Sequence, residues 1–505
     1  MINTYKSMSS ILSSALPLTG YRRYLVIALI ALAPRALAQQ AAQPAAPLPD
    51  LGGAGSAVLS PQMERRLGES VMREIKTREP AYVEDPEIGE YLGELARRLT
   101  QVMAGARYEF EFFVIRDPTI NAFALPGGFV GVHTGLITNA DTESELASVL
   151  AHELGHVTQR HISRMFGQEQ QMQLPMLAAL AAAVILGLRR ADLASGAMAA
   201  IQAGAVQTQL SYSRDFEREA DRVGLQALEA AGFDTRAMAV FFEKLQRATR
   251  IVDDGSVPSY LRSHPVTTER IADAQNRSAS MPYRQYVDSL EFHLVRAKLR
   301  ADVGEPRDAV VHFESSVRDK RYASEAAARY GLTSALLRAR RAQDAAAELA
   351  RLRATGASDP MIETLGARVL HALGDNSGAG ALLAEARARY PHSRPVLYAY
   401  VESLQDAGKN TEALAALTES ARVHPRDARL YLLQAKTYAA LGKRLLQHQA
   451  QAEYYALQGS LPQAIEQLQI ARAAGDGDFY QLSVVDARLK DLRAQHSIET
   501  AANKR

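Results

Sequence analysis

Three glycines, Gly374, Gly408 and Gly442, stand 34 residues apart in similar settings: "HALGDNSGAGALL", "QDAGKNTEALAAL" and "AALGKRLLQHQAQ". Pro391 and Pro425, in "YPHS" and "HPRD", repeat the same interval. With helical periodicity continuous from about Ser289, such a chain is expected to form stacked helical hairpins rather than an irregular helical domain. A single hairpin cannot bury its apolar face, so neighbours must cover it. Gly304, 70 residues before Gly374, leaves room for two further units with a two-residue insertion. This part of the chain is expected to be all-helical, with a concave surface open to partners.

The first half reads differently. At 505 residues the chain exceeds one ordinary core. Ser60-Pro61 supplies an N-cap and a first-turn proline for a helix to about Thr77, and Asp85-Pro86 opens another. "YEFEFFVI", Tyr108–Ile115, alternates like a strand, and "AFALPGGFVGVHTGLI" reads as strand, glycine turn and strand. Short strands among helices make this half α+β, mostly helical with a small sheet.

Lys6, Arg22 and Arg23 precede the apolar run Leu25–Ala33, and Ala36–Ala38 before Gln39 fits a cleavage site, so residues 1–38 are expected to be an export signal. The Ala/Pro/Gly-rich stretch 39–57 is expected to be a flexible linker. There is no cysteine, which excludes a disulfide, a thiol-linked lipid anchor and a thiol nucleophile. The 58 basic and 56 acidic residues nearly balance, and nothing in the charge calls for nucleic acid. These features point to the periplasm, where any metal site would have to be built from His and carboxylate. An α+β domain is expected at 58–285 and a repeat domain at 286–505.

The chemistry centres on "LASVLAHELGHVTQRHI", Leu146 to Ile162. Residues four apart on a helix lie one turn above each other, so His152 and His156 can share one metal ion. Glu153 is offset by one residue, close enough to take a proton from water without being a ligand; this is the arrangement a zinc peptidase needs. Leu146, Val149, Leu150, Leu154 and Val157 form an apolar face around it. His161 is nine residues past His152, about half a turn round on a continuous helix, and is expected at the surface. The third ligand must come from elsewhere. In "SRDFEREADRVG", Glu217 and Asp221 share one helical face, so Glu217 can ligate zinc while Asp221 orients an imidazole through its free N–H; Glu219 is expected to face away.

"HELGH" and "FEREAD", with "NAFALPGG" before and "SHPVTTERI" after, resemble the M48 family of zinc metallopeptidases, and the 34-residue period is similar to the tetratricopeptide repeat without its full Trp/Leu/Tyr signature. The resemblance implies a zincin-like α+β domain followed by a tetratricopeptide-repeat solenoid. It implies His152, His156 and Glu217 as Zn²⁺ ligands, Glu153 as general base and Asp221 as the carboxylate behind an imidazole. Asn121, Ala122, Phe123 and Ala124 would be the edge strand that pairs with an extended substrate. It also implies misassembled outer-membrane proteins as substrates and the outer-membrane β-barrel assembly complex as partner. Many members of the family are integral membrane proteins, a pattern from which this chain departs.

Two features stay open on sequence. Leu174–Leu188, "LPMLAALAAAVILGL", is too short to span a bilayer. It can be buried helix, interfacial helix or lid, and its Ala-rich content with the following "RRAD" favours a helix covering the cleft or touching a membrane surface. His264, stiffened by Pro265, either occupies the fourth position on zinc or stabilises the transition state. The competing class is a repeat-based chaperone or scaffold with a latent or structural zinc site. An intact Glu153 argues against it, since a structural site has no use for a base.

Overall fold

The computed structural model describes residues 59–103, 108–168, 213–251 and 259–503. The segments read as export signal (1–38) and linker (39–57), and the apolar run Leu174–Leu188, lie outside the described residues. Helices α1 (Pro61–Arg78) and α2 (Pro86–Thr100) open at their prolines. Ser60 accepts a hydrogen bond from the Met63 N–H, and Asp85 accepts from those of Glu87 and Ile88.

Strands β1 (Tyr82–Val83), β2 (Glu111–Ile115), β3 (Ala122–Leu125) and β4 (Phe129–His133) form a sheet in the order β1-β2-β4-β3. The β2–β4 pair is parallel and the other two are antiparallel. In the turn between β3 and β4, Gly127 and Gly128 have φ of 79° and 95°. A β-carbon on Gly127 would lie 2.5 Å from Arg65 Cα, so the turn admits glycine for space as well as for conformation. The end of the stretch expected as strand instead forms the short helix α3 (Thr134–Asn139).

Helix α4 (Glu143–Thr158) carries the "HELGH" motif, and α5 (His161–Gln168) follows it. Then come α6 (Arg214–Ala231), α7 (Arg236–Ile251), α8 (Ser259–Ser263) and α9 (Thr268–Ser280). The sequence indicates one apolar face on α4, yet every residue from Glu143 to Val157 is buried. Edge strand β3 and helices α2, α6 and α7 all pack against it, so even its polar side chains, Glu143, Glu145, His152, Glu153 and His156 among them, are buried.

The rest of the described chain is six helical hairpins. They are α10 (Leu290–Ala301) with α11 (Pro306–Arg318), α12 (Glu325–Arg338) with α13 (Ala342–Ala354), and α14 (Pro360–Ala372) with α15 (Asn376–Arg389). Next come α16 (Arg394–Asp406) with α17 (Asn410–Val423), α18 (Ala428–Ala440) with α19 (Arg444–Leu457), and α20 (Leu461–Arg472) with α21 (Phe479–Asn503). Gly304, Gly374, Gly408 and Gly442 all sit in hairpin turns with positive φ. The unit between Gly304 and Gly374 has Arg340 there, at φ 60°, 36 residues after the first and 34 before the second, which accounts for the 70-residue interval with its two-residue insertion. The turns close alike: Asp375 N–H donates to Leu370 O at 2.9 Å, Lys409 N–H to Leu404 O at 2.8 Å, and Arg341 N–H to Leu336 O at 2.9 Å. A non-glycine residue in this conformation costs about 1–2 kcal/mol, which the two flanking helices must offset.

The hydrophobic core is continuous across residue 285. One cluster joins Ile88 and Leu92 of α2 and Leu150 of α4 to Phe292 and Val295 of α10, and extends to Leu365 of α14. Polar groups cross the same junction. Buried Glu143 accepts from Tyr286 Oη at 2.6 Å and from the Ser289 N–H at 3.1 Å, and Lys298 Nζ pairs with Asp85 and Glu87. Among the described residues no helix is long and apolar enough to cross a membrane.

Candidate metal centre

Two glycines let α4 and α6 come close. A β-carbon on Gly155 would stand 3.0 Å from Ala220 O, and one on Gly224 would stand 3.2 Å from the backbone of Ala151 and His152. This approach presses the acidic face of α6 onto the histidine face of α4. His152, His156, Glu217 and His264 then converge, each with one donor atom within 4.8 Å of the others, and all four are buried.

The spacings test whether a metal ion fits. His152 Nε2 is 3.0 Å from His156 Nε2 and 3.3 Å from His264 Nδ1. Glu217 Oε1 is 3.0 Å from His264 Nδ1 and 3.2 Å from His156 Nε2. A tetrahedron with zinc-like bonds has edges of about 3.3 Å. Because His152 Nδ1 lies 2.9 Å from Asp221 Oδ1 and donates to it, its Nε2 turns a lone pair inward, towards the inward-facing nitrogen of His156. Converging lone pairs at this distance suit a cation, and the donor set fits.

Glu153 lies outside that set, fully buried on α4, with its Oε1 3.5 Å from His264 Nε2. Burial pushes its carboxyl above the ordinary range, opposed by the His264 and His152 imidazoles and the Ala124 N–H. Burial would do the same to Glu217, but the adjoining imidazoles of His264 and His152 outweigh it and hold that carboxyl well below the usual range. Burial drives His156 strongly towards its neutral, ligand-competent form. Asp221 is likewise kept ionised against burial, chiefly by Arg270, whose guanidinium grips it through Nε and Nη2 at 2.7 Å each and reaches Glu217 Oε2 through Nη1.

The edge strand runs over Ala122–Leu125, one residue further along than Asn121–Ala124. Among the described residues Ala122–Leu125 pairs only with β4, which leaves its other edge without a strand partner there, and α4 packs beneath it. Asn121 precedes the strand, with Nδ2 3.5 Å from His133 Nε2, and the Phe123 ring meets Phe113 and His133 edge-on. His264 follows α8, where the Tyr260 ring stacks on it at 4.8 Å.

His161 departs from expectation: it is buried rather than at the surface. Helix α4 ends at Thr158, and Arg160, with φ of 54°, turns the chain before α5 begins, so the half-turn offset of a continuous helix never arises. The Arg160 guanidinium is held by Glu64 and the Leu59 carbonyl, about a hundred residues upstream. His161 Nδ1 reaches 2.9 Å from His156 Nδ1. Glu219, expected to face away, does stand apart from the four converging donors, but it contacts His161 Nε2 at 3.2 Å and Arg164 Nη1 at 2.7 Å. His161, Glu219 and Tyr260 are the site residues that sequence reasoning missed. "EREAD" alone carried a hint, in a second acid two residues from the first.

Residues 84–278 match the description Peptidase family M48, and residues 370–437 match the tetratricopeptide repeat. The chain is 38% identical over 254 residues to the putative beta-barrel assembly-enhancing protease of Vibrio cholerae; the aligned part spans 50% of this chain and about half, 52%, of that protein. It is 32% identical over 454 residues to the beta-barrel assembly-enhancing protease of Escherichia coli K12, which takes in 88% of this chain and 91% of that one. The mitochondrial metalloendopeptidase OMA1 of Schizosaccharomyces pombe is 32% identical over 183 residues, 36% of this chain and 50% of that protein. With the four-donor cluster lying inside the matched segment, the chain belongs to peptidase family M48 and is a metallopeptidase that carries tetratricopeptide repeats behind its peptidase region.

Proposed function

We propose that this chain is a periplasmic zinc endopeptidase acting in the quality control and assembly of outer-membrane β-barrel proteins. In this reading residues 58–285 perform the chemistry and the repeats, 286–505, recruit substrate or the assembly machinery. The observation that carries it is the convergence of His152, His156, Glu217 and His264, each with a donor atom within 4.8 Å of the others, with Glu153 beside the set but outside it. The names of the Vibrio and Escherichia relatives support the substrate class.

His152, His156 and Glu217 would hold zinc, which when bound would polarise the scissile carbonyl and bring the pKa of water towards ~7. An extended substrate adds to the free edge at Asn121–Ala124, which fixes its backbone by hydrogen bonds and presents one peptide bond to the buried site. Glu153, its proton affinity raised by burial, takes a proton from the attacking water and returns it to the leaving amine. Asp221 accepts from His152 Nδ1 and keeps that imidazole's lone pair aimed inward.

His264 acts as a latch. Its Nδ1 lies at tetrahedral-edge distance from His152 Nε2 and Glu217 Oε1, so it takes the fourth donor position and keeps water out until its loop leaves. Such restraint suits a protease that works among unfolded clients. Glu153→Gln should retain metal by elemental analysis while cleavage of casein and of an unfolded β-barrel protein falls by about 10²–10⁴-fold; undiminished cleavage would remove Glu153 from the chemistry. His264→Ala should raise basal proteolysis, self-cleavage included. A fall of about a hundredfold with metal retained would instead give His264 a transition-state role.

A further inference from the structure

The two histidines of the motif are backed by different hydrogen-bond chains. His152 Nδ1 donates directly to Asp221, which Arg270 grips with two hydrogen bonds. His156 Nδ1 instead faces another imidazole nitrogen, His161 Nδ1, at 2.9 Å. One proton serves that contact. If His156 presents its Nε2 lone pair to a metal, its proton sits on Nδ1, so His161 Nδ1 must be the acceptor. The His161 proton is then on Nε2, which faces Glu219 Oε2 at 3.2 Å, and Glu219 is paired with Arg164. The His161 ring is fixed by stacking on Phe216, with centroids 4.5 Å apart and planes 10° from parallel.

We propose that His161 is a positioning residue for the metal ligand His156, with Glu219 selecting its tautomer, so that each motif histidine is backed by a carboxylate–arginine pair: directly at His152, and through an intervening imidazole at His156. The inference deepens the zinc reading above and rests on it. It also ranks the two arms. Asp221 is buried, whereas the Glu219 side chain is 28% exposed and that of Arg164 42% exposed, so solvent screens the outer end of the His156 chain. His161 should therefore matter more than Glu219.

The test measures Zn²⁺ affinity of the full chain by chelator competition, together with the melting temperature of the metal-free protein and the visible spectrum of the Co²⁺-loaded form. His161→Phe keeps a ring against Phe216 but removes the acceptor. Its Zn²⁺ affinity should fall by about 10- to 100-fold, with a shifted Co²⁺ spectrum and an unchanged metal-free melting temperature. Glu219→Ala should lose less, up to about tenfold, and Glu219→Gln should recover most of that, because the amide oxygen still accepts from Nε2. Affinity within twofold of the parent in His161→Phe would overturn the proposal. Should that variant fail to fold, equal affinities for Glu219→Ala and Glu219→Gln would overturn it just as well. A parent chain that binds no Zn²⁺, with His156→Ala indistinguishable from it, would defeat the zinc reading instead, so the two failures are separable.

Discussion

The peptidase region and the repeats both depend on glycine at helix pairs, for opposite physical reasons. Gly155 and Gly224 lie within helices, where a β-carbon would meet backbone at 3.0–3.2 Å; they set the distance between α4 and α6 and so the distance between His152 and Glu217. Gly304, Gly374, Gly408 and Gly442 have nothing within 4 Å of a β-carbon, and serve only by adopting positive φ. Space cannot be negotiated at a metal centre whose donors sit 3.0–3.3 Å apart. Conformation can be, and Arg340 takes it up in the second hairpin. Activity is concentrated where packing is intolerant, and periodicity survives where packing is open.

The sharpest challenge to this contrast lies at the metal. Glu217→Gln should lower metal affinity beyond the ~100-fold that bounds an outer hydrogen-bonding partner, and cleavage should fall to background. Glu402→Gln, on α16 in the repeats, should leave both within twofold. Elemental analysis and a casein assay decide, and retained metal in Glu217→Gln would mean that the carboxylate is not a ligand.

Next in size are the glycines. Gly224→Val forces α4 and α6 apart and should cost about 1–3 kcal/mol by denaturant unfolding, with metal lost alongside. Gly408→Ala should cost about 1–2 kcal/mol through backbone conformation alone, with metal binding and casein cleavage unchanged. Arg340→Gly should stabilise by up to about 1 kcal/mol. A loss of metal from Gly408→Ala would break the comparison, since it would tie turn geometry in the repeats to the distant site.

The smallest effect concerns the junction between the regions. Burial, with Asp359 and Glu90 nearby, raises the Glu291 carboxyl to about 7, and burial raises Asp359 to about 6. An unfolded glutamate titrates near 4.3. Between those values the folded chain binds more protons than the unfolded one, so stability falls as pH rises from about 4.3 towards 7. The melting temperature should therefore drop by a few degrees between pH 5 and pH 8, and Glu291→Gln should flatten the slope. A rise in stability over that range would reverse the sign and exclude Glu291 as its source.

Sequence alone determined whatever repeats at short range. His152 and His156 share a face because a helix returns every 3.6 residues. Ser60-Pro61 and Asp85-Pro86 start helices because caps act within one turn. The 34-residue period was legible because each glycine turn answers to its own two helices. Only the tertiary structure decided what depends on contacts far along the chain. The turn of the unit between Gly304 and Gly374 could not be placed on Arg340, because residue type does not reveal φ when flanking helices impose it. His161 was misplaced because the turn at Arg160 is held by Leu59 and Glu64, which no local pattern encodes. Burial of α4 on all sides and the core shared across residue 285 came from packing between segments as distant as Ile88 and Phe292. Helical periodicity is a property of neighbours in sequence, whereas the proton carried by each imidazole of a buried cluster depends on the acceptor that folding brings beside it.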